Sequence, residues 1–263
     1  MQSLLTKTEA MLLVAFIALV AAALGGPPLA QSPHYHDFAS RGWGDVLSNI
    51  PFALAGATGL WLLWTAPRRS FTNMHRAMAF LFFGGLLLVA LGSAAYHLAP
   101  TESSLAADRY CMAVAMAGLL GLAAASRVGE GAAAALGMAA LYAGLASVKL
   151  WTATGNLLPW GVFQFGAMLL LVWLGTLPAL LRALPVKWWL VIAAYAAAKV
   201  FELGDYPVYE LTGHVVSGHT LKHLCSALAT VPVLLALGHV REARQNAVEL
   251  QDGGELDIRW VKV

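Results

Sequence analysis

Three histidines stand out in a chain whose other residues are mostly apolar: His97, and a pair spaced His219-x-x-x-His223. On a helix, positions i and i+4 share a face with side-chain origins about 6 Å apart, so His219 and His223 can bind one ion together. Three neutral imidazoles with an open fourth position form the ligand set of a catalytic zinc, which supplies a hydroxide-like nucleophile near neutral pH. Ser93 precedes His97 by one helical turn on the same face, and Asp108 follows it by eleven residues. Hydrolysis needs a proton acceptor for the water and a donor for the oxyanion, roles that suit Asp108 and Ser93. Asp108 suits equally a hydrogen bond that orients a ligating histidine. Residues at i and i+4 of one helix cannot be the two opposite axial ligands of one haem, which leaves a haem shared by His97 and one of the pair as an open alternative.

Singly, each residue has a plainer use. His-x-x-x-His arises often by chance, Ser93 lies in a Gly-Ser-Ala-Ala run suited to close helix contact, and Asp108 suits a helix N-terminus. In hydrocarbon, though, unpaired polar groups cost several kcal/mol, so buried histidines need a partner.

The elements that must position them are membrane helices. The chain has 263 residues, 59% hydrophobic and 11% charged, against roughly 25% charged in a soluble domain. Its mean hydropathy is +0.69. The fold expected is all-α, a polytopic membrane helix bundle. A formal charge of +2 is too small to suggest nucleic acid, and Cys111 and Cys225 lie in apolar segments and read as buried thiols.

Nearly uncharged stretches long enough to cross about 30 Å of hydrocarbon lie near residues 10–30, 46–66, 77–99, 108–126, 131–152, 157–181, 188–206 and 215–238. The first, running from Lys7 to Gly25-Gly26-Pro27-Pro28, also has the look of a signal peptide, but no good small-x-small cleavage site follows and a retained span is expected. The chain then divides into an N-terminal span (1–30), a loop (31–45), a seven-helix core (46–240) and a polar tail (241–263). With the N-terminus in the cytoplasm, eleven of the 16 basic residues fall inside, among them Lys7, Arg68, Arg69, Arg241, Arg244, Arg259 and Lys262. This is the expected arrangement of a bacterial inner (plasma) membrane protein with a cytoplasmic C-terminus. It also brings His97, Asp108, His219 and His223 to one depth near the outer face, from three separate helices.

At these residues the chain resembles the CREST superfamily of integral membrane hydrolases and, within it, the alkaline ceramidases. The likeness rests on Ser93-x-x-x-His97, on Asp108, and on Ser217-Gly218-His219-Thr220-Leu221-Lys222-His223. It extends over residues 44–240, including the Asp45-Val46-Leu47-Ser48-Asn49 opening of the first core helix. The resemblance implies zinc on His97, His219 and His223, with Ser93 and Asp108 catalytic in cleaving a lipid amide. It implies a seven-transmembrane CREST-like core, to which this chain adds one N-terminal span. Where animal ceramidases carry an acidic calcium cluster, residues 34–45 offer only Asp37 and Asp45, which leaves calcium doubtful. The superfamily also contains lipid-remodelling esterases and receptors, so a zinc esterase or phospholipase, and a receptor-like protein with structural zinc, stay open. The expected partners are membrane lipids and a lipid substrate entering from the bilayer; protein partners are unknown.

Other polar residues read as supports. Lys199 and Glu202, three apart, are expected to pair, with contact to a substrate head group as the lesser reading; Gln164 is expected to bond between helices. Trp151, Trp160, Trp188 and Trp189 mark span ends and are expected as interface anchors. His214 is expected at the interface, and His34 and His36 in a solvated loop, with a second metal as the lesser option.

Overall fold

A computed structural model describes residues 6–32, 35–36, 43–67 and 70–259. Among these there is no β-strand, and eleven helices follow in order: α1 (Lys7–Gly25), α2 (Trp43–Leu47), α3 (Ile50–Thr65), α4 (Asn73–Leu98), α5 (Glu102–Arg127), α6 (Glu130–Thr154), α7 (Leu158–Thr176), α8 (Trp188–Leu203), α9 (Asp205–Leu211), α10 (Gly218–Leu228) and α11 (Val231–Arg259). His34, Asp37, Arg68, Arg69 and Lys262 lie outside the described residues.

The chain is an all-α, polytopic integral membrane protein. Among the described residues, seven helical segments are long and apolar enough to cross a membrane: α1, α2 with α3, α4, α5, α6, α7, and α10 with α11 as far as Ala247. The seventh expected span, 188–206, is shorter than its hydropathy suggests. α8 stops at Leu203 after 16 residues, about 24 Å of helix, and Gly204 turns the chain into α9. The polar tail also differs from a simple extension, because α11 continues as helix to Arg259.

Two spans are broken, each at a proline. Pro51 lacks an N–H and its ring crowds the preceding turn, so the first core span splits at Ser48-Asn49 into α2 and α3. Asn49 Nδ2 and Ser48 Oγ then donate to the Asp45 carbonyl at 2.8 and 3.2 Å. Pro232 has the same effect on the last span, which turns at Ala229-Thr230; there Thr230 Oγ1 donates to the Ala227 carbonyl at 2.7 Å.

α5 is the central helix, with 67% of its most apolar window buried, while α1 is peripheral at 6%. Small residues let α4 approach α5: a Cβ on Gly85 would lie 2.6 Å from the Ala115 nitrogen, and one on Gly118 2.6 Å from the Phe82 Cα. A cavity of about 510 Å³ lies between α1, α6 and α7 and has an apolar lining remote from the histidines.

Candidate metal centre

Close packing of α4 on α5 decides where Ser93, His97 and Asp108 meet. A Cβ on Gly92 would stand 3.3 Å from the Asp108 Cα, so the first turns of α5 lie beside the last turns of α4. Thr101 caps α5 by accepting from the Ser104 N–H at 3.1 Å, which starts the helix in time to place Asp108 in its second turn.

α10 supplies the other two histidines, and its start is fixed from three sides. Ser217 is the N-cap, accepting from the Thr220 N–H at 2.8 Å. Asp205 accepts from the His219 N–H at 2.8 Å. Ser217 Oγ and Thr220 Oγ1 each donate to Asp45 Oδ1 at 2.6 Å. Both carboxylates therefore sit at the positive end of the helix. Gly218 permits this approach, since a Cβ there would lie 2.5 Å from the Asp205 Cα.

The three imidazoles converge. One ligand nitrogen of each of His97, His219 and His223 lies within 4.8 Å of the other two. Ring centroids are 4.7 Å apart for His97 and His219, 4.7 Å for His219 and His223, and 5.2 Å for His97 and His223, all edge to face. His97 and His223 are buried. Ser48, at the break between α2 and α3, stands 2.8 Å from His223 Nδ1. With its own proton on the Asp45 carbonyl, Ser48 accepts from Nδ1–H, which leaves the Nε2 lone pair for a metal. That Nε2 faces Ser93 Oγ at 3.4 Å. Imidazoles from two helices, one held in the ligating tautomer, could hold a metal ion.

The cluster lies where two cavities meet. One, of about 120 Å³, runs toward the bundle middle and is lined by Phe52, Met116, Met168, Ser93, Asp108 and His223. The other, of about 200 Å³, opens toward the histidine end and is lined by Gln31, Tyr96, Arg109, Asp108, His219 and Lys222. Asp108, Met112 and Lys222 border both. Asp108 Oδ1 is buried and has no hydrogen bond among the described residues.

Of the residues singled out by spacing, His97, His219, His223 and Ser93 come together, and Asp108 borders both cavities beside them. Spacing did not point to Ser48; the signal available was a Ser-Asn pair two residues before a proline inside an apolar run. Lys199 pairs with Glu202 at 2.5 Å and with Gln164 Oε1 at 3.0 Å, as expected. Glu202 also binds Lys222 of α10 at 2.6 Å, a contact no local spacing announces. Asp45 turns inward at 2% exposure, with Oδ1 taken by two hydroxyls. His36 Nδ1 meets Tyr96 Oη at 3.2 Å, and His214 Nε2 pairs with Glu210 at 3.0 Å. Of the four tryptophans expected as interface anchors, Trp151, Trp160 and Trp188 are buried in the protein and Trp189 is exposed. Trp151 and Trp160 are drawn inward by the Arg109 guanidinium, 4.1 and 5.8 Å from their ring centroids. No protein-family model, curated protein or solved structure matches this chain.

Proposed function

We propose that this protein is a zinc-dependent membrane hydrolase that cleaves the amide bond of a lipid, in the manner of the alkaline ceramidases it resembles. The observation that carries the reading is the location of the imidazole cluster, at the junction of an apolar and a polar cavity. An amphiphile spanning that junction puts its chain against Phe52 and the methionines, its head group among the polar residues, and its carbonyl beside the histidines. Such a site both orients the substrate and excludes bulk water from the scissile bond.

His97, His219 and His223 would hold the metal. Zinc supplies Lewis acidity and a hydroxide-like nucleophile near neutral pH. Asp108, buried beside the cluster, accepts the proton of the attacking water and returns it to the leaving nitrogen. Ser93 Oγ donates a hydrogen bond to the oxyanion that forms at the carbonyl carbon. Ser48 keeps the His223 proton on Nδ1 throughout. The positive-inside pattern supports a site at the outer face with the C-terminus in the cytoplasm, and a substrate that enters laterally from the outer leaflet.

The same residues serve an ester-cleaving lipase, and the amide is preferred on the resemblance at Ser93, Asp108 and the three histidines. The test is zinc content of the purified protein together with fatty-acid release from ceramides and phospholipids, for wild type, Asp108→Ala and His219→Ala. Wild type is expected to hold one zinc per chain and to release fatty acid, Asp108→Ala to keep the zinc with release strongly lowered, and His219→Ala to lose both. Zinc-loaded wild type inert on a broad lipid panel favours a receptor-like protein instead, and absence of zinc ends the proposal.

A further inference from the structure

Arg109 is a charged group that the hydrolytic chemistry does not use. It follows Asp108 on α5 and is 4% exposed. Its guanidinium lies over the Trp151 ring, with Tyr35 and Trp160 ring centroids 5.7 and 5.8 Å away. These faces attract the positive charge but accept few of its five N–H donors, and Tyr35 also takes a side-chain hydrogen bond from the guanidinium. Nη2 donates to Gln31 Oε1 at 2.7 Å. Nη1 is buried and has no hydrogen-bond partner among the described residues. A charged donor left unsatisfied inside a protein is costly, and an arginine kept in that state at membrane depth is best explained by a ligand it awaits.

Arg109 lines the polar cavity together with Lys222 and Glu202. The Glu202 carboxylate is already shared by Lys199 and Lys222, at 2.5 and 2.6 Å. Lys222 spends one of three donors there. The lining carries two cations, Arg109 and Lys222, against two carboxylates, Asp108 and Glu202, so that a divalent ion on the imidazoles would leave it positive. The guanidinium fork suits a carboxylate or a phosphate and has nothing to offer a cationic amine.

We infer that the polar cavity is an anion subsite, in which Arg109 Nη1 and Lys222 Nζ bind the carboxylate or phosphate of an amphiphile's head group. The substrate class that follows is an acyl lipid with an anionic head, an N-acyl amino acid or an acylated phospholipid, rather than a neutral ceramide. The scissile-bond part of this inference rests on the hydrolase reading above; the anion-binding part does not.

The test uses the full chain in detergent micelles, with a chelator present so that no metal can serve as the anion's acceptor. Binding of N-decanoylglycine is compared with that of its uncharged amide, N-decanoylglycinamide, and with decyl phosphate. The acid or the phosphate is expected to bind at least about tenfold more tightly than the amide. Whichever of the two binds better identifies the head group as carboxylate or phosphate. Equal binding of acid, phosphate and amide overturns the inference without recourse to any variant. In Arg109→Gln the preference is expected to vanish, and in Arg109→Lys to persist in part; a folded Arg109→Gln that keeps the full preference also overturns it. Charge discrimination in a protein that binds no zinc leaves the subsite standing and removes the hydrolase. A zinc hydrolase without charge discrimination removes the subsite alone.

Discussion

Helix α4 carries a buried histidine at each end, and the two ends differ in what the rings are given to do. At the start of α4, His75 is 3% exposed, with Nδ1 bonded to Thr72 Oγ1 at 2.8 Å and Nε2 to Ser126 Oγ at 3.1 Å. Both nitrogens are satisfied by hydroxyls from its own cap and from α5. At the far end, His97 meets His219 and His223; the His223 Nδ1 has the Ser48 hydroxyl at 2.8 Å, while its Nε2 faces the cluster with only the longer 3.4 Å contact to Ser93 Oγ. Burial and hydroxyl contacts are common to both ends. Convergence of several imidazoles on one point separates a ligand set from a structural histidine that ties α4 to α5.

The largest effect expected from breaking this contrast is at the cluster. His223→Ala should abolish zinc binding and with it any hydrolysis, read by metal analysis of the purified protein; retention of stoichiometric zinc would falsify the ligand assignment. Acidification should act in the same direction. Ligation needs neutral imidazoles, whose ordinary pKa is about 6.5, so zinc held at neutral pH should be released as pH falls through about 6 and regained on return. Stoichiometric zinc after dialysis at about pH 4 would contradict ligation by histidine.

Asp108→Asn sharpens the distinction between ligand and catalyst. It should keep zinc while lowering turnover about 10²- to 10⁴-fold, the usual range for a lost general base; zinc loss in parallel would move Asp108 to an orienting role. Ser48→Ala should weaken zinc affinity about 10- to 100-fold by releasing His223 Nδ1, and should change the visible spectrum of the cobalt-substituted protein. Ser48→Thr, which retains the hydroxyl, should restore both, and an unaltered affinity in Ser48→Ala would show that the hydrogen bond to His223 has no hold on the metal.

The smallest effect belongs to the other end of α4. His75→Ala leaves the buried Ser126 hydroxyl short of a partner and should cost about 1–3 kcal/mol of stability, read as a lower unfolding midpoint, with zinc content unchanged. A loss of zinc in that variant would erase the distinction between the two ends.

Much of this was legible in the residues themselves because the signals are local or compositional. An apolar run announces a span whatever it packs against, and the i, i+4 spacing of His219 and His223, or of Ser93 and His97, places both members on one helical face wherever the helix lies. The level at which three helices present their histidines followed from counting antiparallel spans. What escaped notice depends on which helices touch. Spacing within α8 foretold Lys199 with Glu202, whereas Lys222, twenty residues further on, reaches the same carboxylate only because α10 packs on α8. The tryptophans at span ends suggested anchors by composition, yet two of them close over Arg109.

The amino-acid sequence by itself determined that the chain is a bundle of membrane helices and that His97, His219, His223, Ser93 and Asp108 belong to one end of it, because hydrophobic length and helical periodicity are properties of a segment alone. Only the tertiary structure decided that Ser48 orients His223, that His75 is spent on hydroxyls, and that Arg109 faces a cavity with a donor to spare. Each of those outcomes is a distance between segments far apart in the chain, set by how closely glycines and alanines let α4, α5 and α10 approach their neighbours and by where prolines interrupt the first and last spans of the core.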